Sequence, residues 1–242
     1  MVQFGEKLNN ERKKDFEEVI KYFRAFKIKD EFFEKQNLNL LAQIHKLVGG
    51  LNVLSTLEGI PEYSMPYLEQ LESDAIQLIS SAMIGNERGF KLLERSLIEN
   101  SLRYFYYSHH EIEHYLLQTD SSSYMSFKEL CDYAKAHPFF KENKSEVESS
   151  IGVLHSKYSE LSRVVHAGTI KEMSLAKGII SLHKPLANLD KEIESFNIIS
   201  QNIMYLLGLF LKNKMASLNG DECRVVTLLL SSKQKKELCN LI

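Results

Sequence analysis

The sequence predicts an all-helical fold. Apolar residues recur at helical spacing through most of the 242 residues. Proline, which removes a backbone donor and clashes with the preceding turn, occurs only four times. Helix-opening and helix-stopping residues fall between the periodic stretches. The one stretch with strand character, RVVTLLL from Arg224, has no partner strand and reads as a buried helical turn.

Taken in order, residues 11–27 form a charged amphipathic helix with Phe16, Ile20 and Phe23 on one face. A second helix over 30–48 is expected to stop at Gly49-Gly50. Residues 1–60 are expected to be an N-terminal helical arm, because breakers at Gly49-Gly50 and Gly59-Ile60-Pro61 set them off from a bundle domain over 61–242. Ser64-Met65-Pro66 opens a helix to about Ile84, with proline inside the first turn. Asn86 caps a long helix expected from Glu87 to Leu117. Thr119 to Ser123 break the chain. Ser126 with Glu129 forms a capping box for a helix that ends before His137-Pro138. Ser145 with Glu148 suggests a second box, for a helix to His166 with Gly168 as its C-terminal cap. Asp190 caps a helix to about Met215, and a short one follows from about Ser232. Ile203 to Leu211 is apolar on nearly all sides and reads as a buried core helix.

Composition bounds the function classes. Hydrophobic content of 44% and charged content of 26% suit a soluble globular chain. The longest apolar run is far short of the ~20 residues that span a bilayer. The charged start MVQFGEKLNNERKK has no apolar signal core, and Cys131, Cys223 and Cys239 form no CxxC pair. A cytoplasmic protein without membrane contact is expected. Net charge is −2, but residues 151–242 carry 12 Lys/Arg against 8 Asp/Glu, which is +4 and leaves −6 for 1–150. A modestly basic half can touch phosphate; the alternative is lysines that only solvate helix surfaces.

Chemistry concentrates in ERSLIENSLRYFYYSHHEIEH, which starts at Glu94. His110-Glu111-Ile112-Glu113-His114 has the letters of a zinc-protease motif, with two imidazoles at i and i+4 and Glu111 as general base. No third ligand with a recognisable context follows, so a zinc hydrolase is the least favoured reading and no metal is expected. Arg103 followed by His109 or His110 has the spacing of a metal-independent ribonuclease motif. At 100° per residue, Glu99, Arg103, His110 and His114 fall along one stripe, with Arg95 beside it. Glu99 can pair with Arg95 or Arg103 at i±4. On the helix ending at His166, His155, Ser159, Ser162 and His166 form a facing polar stripe bordered by Tyr158. The helix C-terminus favours a protonated His166, suited to a general acid or a phosphate contact, or to simple capping.

The stretches RSLIENSLRYFYYSHHEIE, SFKELCDYAKAHPFF and YSELSRVVHAG resemble the HEPN-like superfamily over roughly residues 85–170. The resemblance implies an antiparallel helical bundle, usually a homodimer. Active members are metal-independent endoribonucleases of toxin–antitoxin, CRISPR and abortive-infection systems, with an Arg-x4–6-His motif. Carried onto this chain, Arg103 is the phosphate clamp, Glu99 orients it, and His109, His110 or His166 is the acid/base. Arg95, Tyr158 and Ser162 contribute phosphate or ligand contacts. The histidine would take the ribose 2′-OH proton while arginine neutralises the pentacoordinate phosphorus, leaving a 2′,3′-cyclic phosphate without metal or other cofactor. Tyr104 stands where active members carry Asn, Asp or His after the arginine. Two functions follow: an RNA-cleaving effector of a bacterial antiphage-defence or toxin–antitoxin system, or a catalytically degenerate module that binds RNA, an antitoxin or another partner protein.

Overall fold

The computed structural model describes the backbone of residues 2–25, 30–120, 124–166, 185–186 and 188–239, and side chains from Arg12 onward within these except that of residue 31. Gly168, expected as a C-terminal cap, lies outside the described residues. Among them every regular element is helical. The helices are α1 (Val2–Ala25), α2 (Lys35–Ser55), α3 (Met65–Met83), α4 (Glu87–Tyr107), α5 (Glu111–Thr119), α6 (Phe127–Ala136), α7 (Lys144–Val165), α8 (Leu189–Phe210), α9 (Lys212–Met215), α10 (Gly220–Val226) and α11 (Ser232–Cys239).

Helix α4 is the pivot: it packs against α3, α7, α6 and α8. Its apolar side buries Phe90, Leu97, Leu102 and Phe105 completely, each stabilising the fold by about 2–3 kcal/mol relative to exposure. Opposite them, α8 contributes Phe196, Ile199 and an apolar block from Ile203 to Phe210, all buried as its pattern predicts. The aromatic centre joins Phe105 and Phe140 to Phe210, with ring centroids 5.5, 4.9 and 6.0 Å apart across the three pairs. No described helix is long and apolar enough to cross a membrane.

Packing does not mark a boundary at residue 60. Helix α2 lies against α3, α8 and α10, and its Leu40, Leu41, Ile44, Leu47 and Leu51 join the same apolar cluster as α4 and α8. The expected stop at Gly49-Gly50 is corrected: α2 runs through both glycines to Ser55. Here glycine serves close approach rather than termination. A Cβ at Gly50 would lie 2.7 Å from Met204 Cε, so the tip of the Met204 side chain on α8 occupies the space that the glycine leaves on α2.

Other boundaries shift for local reasons. Ser126 and Glu129 form both arms of their capping box. The expected Ser145–Glu148 box is absent, because a 3-10 stretch over Pro138–Asn143 carries the chain into α7, with Asn143 at its N-cap. Helix α8 starts from Asn188, whose left-handed backbone (φ 51°) suits Asn, and Asp190 falls inside its first turn. It ends at Phe210 rather than running to Met215, and α9 continues beyond Leu211. The RVVTLLL stretch is helical over Arg224–Val226, the end of α10, which a second capping box (Asn219 with Glu222) opens.

Candidate functional site

The largest correction falls on the long helix expected over 87–117. It breaks at Ser108–His110 without Gly or Pro. Ser108 Oγ donates to the Tyr104 carbonyl at 2.6 Å beside the Ser108 N–H, which keeps its helical bond at 3.0 Å, while His110 Nδ1 reaches the Tyr106 carbonyl at 2.7 Å and the His109 and His110 N–H groups turn to the carbonyls three residues back. Tyr63 Oη donates to the Ser108 carbonyl at 3.1 Å. The stripe drawn from Glu99 through Arg103 to His110 therefore does not continue as one helix face.

What remains on α4 is a compact cluster around Glu99. One turn on each side, Arg95 and Arg103 both turn toward it. Arg103 Nη2 lies 2.7 Å from Glu99 Oε1 and Arg95 Nη2 lies 3.7 Å from Oε2. Tyr124 Oη donates to Oε1 at 2.6 Å, and Tyr158 Oη to Oε2 at 3.3 Å. Arg95 also spans to α7, donating from Nε to Ser162 Oγ at 3.0 Å and from Nη2 to Tyr158 Oη at 2.6 Å. A carboxylate that is 12% exposed thus faces two cations and accepts from two phenols, which meets the condition for keeping a charge out of water.

Aromatic rings close the cluster. The Arg103 guanidinium sits 4.9 Å from the Tyr124 ring centroid, and that of Arg95 4.7 Å from Tyr158. Phe127, at the start of α6, stacks flat on the other face of this group, 3.5 Å from Tyr158 and 5.8 Å from His155. Burial and the Glu99 charge both raise the Tyr158 hydroxyl above its ordinary pKa. Burial and its hydrogen bond to Glu99 do the same for Tyr124, so both phenols stay protonated donors. Helices α4 and α7 do face each other through polar groups, but Arg95, Glu99, Tyr158 and Ser162 make the contact, whereas Arg103 pairs within α4 and His110 stacks on Tyr106.

The histidines occupy other places. His110, N-cap of α5, stacks on Tyr106 (4.0 Å, 5°) and meets the edge of Tyr133 at 5.0 Å. Because a carbonyl only accepts, its Nδ1 carries the proton. His109 faces the other way, into His137, Phe139 and Phe210, and burial lowers its pKa. His137 accepts from the Phe139 N–H at 3.2 Å; burial, then the charges of His109 and His110, bring its pKa down to about 4. His166 is exposed at the C-cap of α7, beside Val165, whose carbonyl takes a 2.7 Å bond from Arg88.

His114 is buried, with Nδ1 3.2 Å from Tyr67 Oη and Nε2 3.0 Å from the Gln118 amide. Tyr67 stacks on Tyr107 at 4.9 Å. Burial lifts Tyr67 to about 12, and the Arg103 charge partly opposes the rise. The zinc-motif letters fall across the break, with His110 before α5 and His114 inside it. Among the described residues no group of three or more His, Cys, Asp or Glu is arranged to hold a metal ion.

Sequence reasoning missed Tyr124, Phe127 and Tyr67. The first two flank the break before α6 and the third sits on α3, so no helical periodicity of α4 or α7 points to them. Compared with family models, curated proteins and solved structures, the chain gives no match.

Proposed function

We propose that this chain is a HEPN-like helical module that holds RNA phosphate on the Arg95–Glu99–Arg103 cluster without cutting it, in a bacterial antiphage-defence or toxin–antitoxin setting. One observation carries the reading: two partly exposed guanidiniums share a single carboxylate, while His109, His110, His114 and His166 make their contacts elsewhere. The cluster has a net charge of +1. Glu99 fixes both arginines before a ligand arrives, which reduces the ordering cost of gripping a phosphate. Tyr124 is 46% exposed beside Arg103 and offers a face on which a base can stack.

Cleavage is the second reading, and His110 favours it. With Nδ1 held on the Tyr106 carbonyl, its Nε2 has the lone pair that a general base needs. An end-labelled single-stranded RNA incubated with the purified chain separates the two. Intact RNA, bound by the protein and released by Arg103→Gln, supports the binding module. Fragments ending in 2′,3′-cyclic phosphate, abolished by Arg103→Ala and His110→Ala, support the ribonuclease. RNA that is neither bound nor cut removes both.

A further inference from the structure

Helix α5 turns its apolar side outward. Of its nine residues only His114 is buried. Ile112 is 73% exposed, more than any other large apolar side chain among the described residues, and Tyr115 and Leu116 are 53% and 47% exposed. Spaced at i, i+3 and i+4, the three form one continuous stripe about 100° wide. His114 lies on the opposite side, toward the bundle. Its ring meets those of Tyr63, Tyr67 and Tyr107 with centroids 6.0, 5.8 and 6.2 Å away, and its Nδ1 lies 3.2 Å from Tyr67 Oη. Rotating α5 to bury Ile112 and Leu116 would expose this imidazole and break its bond to Tyr67, so the histidine holds the stripe in solvent.

Carboxylates border the stripe on both edges. At helical spacing Glu111 falls beside Tyr115 on one edge and Glu113 beside Leu116 on the other. Neither makes an ion pair among the described residues. An exposed apolar stripe rimmed by charged groups marks a surface that a partner covers. The sign of the rim selects the partner. Nucleic acid and an anionic bilayer carry the same sign as Glu111 and Glu113 and are repelled. A two-fold pairing of α5 with a second copy sets the glutamates of both copies along one seam. Lys or Arg on either side of an apolar stripe satisfies both features.

We propose that the outward stripe of α5 docks a basic amphipathic helix of another protein. Apolar side chains of that helix cover Ile112, Tyr115 and Leu116, and its lysines or arginines pair with Glu111 and Glu113. The surface lies across the Ser108–His110 break from the Arg95–Glu99–Arg103 cluster and stands or falls separately from it.

Fluorescence anisotropy of a labelled amphipathic peptide built of Leu and Lys, titrated with the whole chain, tests this. A twin peptide with Glu in place of Lys runs in parallel. The expected result is saturable binding of the Lys peptide at one site per chain, at least tenfold tighter than its twin. The double variant Ile112→Ala with Leu116→Ala should weaken it at least tenfold, and Glu111→Gln with Glu113→Gln several-fold. Alanine keeps the helix, and both apolar positions face solvent, so the first variant should melt at the wild-type temperature. Arg103→Gln should leave peptide binding unchanged. Absence of saturable binding overturns the proposal. So does a twin that binds as tightly, affinity that survives the alanine variant, or a lowered melting temperature in that variant, which would place the stripe inside the fold. A chain dimer in sedimentation velocity that the alanine variant dissolves would assign the stripe to a second copy and overturn it too.

Discussion

Glu94 is fully buried (0% exposed) on α4, and neither carboxylate oxygen has a hydrogen-bond partner. Burial, then the Glu192 charge, raise its pKa well above the usual range, against the pull of Lys91 and Lys157. Lys91 is committed to Glu87 at 2.9 Å and Glu192 at 3.1 Å, and Lys157 to Glu160 at 3.1 Å. Burial therefore favours the protonated form of Glu94 in the folded chain. A buried polar group without a partner costs about 1–3 kcal/mol. Glu94→Leu removes that cost and adds apolar contact, so it should stabilise the chain by about 2 kcal/mol, or about 4–8 °C in midpoint for a chain of this length. Had Glu94 been an ionised partner of Lys91, the same change would cost about 3–5 kcal/mol. The sign alone decides between the two.

Its pH dependence follows from linkage. Above about pH 4.3 the unfolded chain releases the Glu94 proton while the folded chain keeps it, so this group's contribution falls by about 1.4 kcal/mol per pH unit until the raised folded pKa is reached. Urea unfolding of wild type and Glu94→Leu at pH 5, 6 and 7 measures this. The advantage of the leucine variant should grow with pH. A destabilised variant, or a difference that does not change over this range, refutes the reasoning.

His137 works in the opposite direction. Its folded pKa of about 4 lies below the unfolded value of about 6.5, so its contribution is complete above pH 6.5 and is lost as pH falls toward 4, by at most about 3 kcal/mol. His137→Asn, which keeps an acceptor for the Phe139 N–H, should flatten this acid limb in thermal melts. Glu99→Gln keeps the shape of the cluster but removes the charge that two arginines share, and should cost about 2 kcal/mol in urea unfolding. Tyr124→Phe, which deletes one exposed donor to Glu99, should cost about 1 kcal/mol. The double variant should lose less than the sum, because both changes act on one network.

The sequence is most legible where one physical signal acts alone. The apolar block of α8 and the Ser126–Glu129 box are local patterns, and both stand in the structure as read. The pairing of Arg95 and Arg103 with Glu99 was legible from i±4 spacing, and the approach of α7 from its matching polar stripe. The break at Ser108–His110 was not, since there the His110 imidazole takes the Tyr106 carbonyl while its own N–H turns to Tyr107, in a stretch that otherwise looks helical. Gly49-Gly50 misled for a related reason. A glycine pair reads as a stop along the chain, and only the packing of α2 shows the helix carried through it, with the Met204 side chain lying over Gly50. Glu94 next to Arg95 gave no sign of being buried unpaired, because that depends on α8 bringing Glu192 and not a free cation to it.

Binding of a labelled single-stranded RNA, followed by fluorescence anisotropy across a salt series, tests the central claim most directly. Each phosphate contact contributes about −0.7 to the slope of log affinity against log salt. Arg95→Gln and Arg103→Gln should each make the slope shallower by about 0.7 and weaken binding by about tenfold, with the RNA recovered at full length. Affinity and slope unchanged in both variants, or RNA recovered as fragments with cyclic phosphate ends, would contradict it.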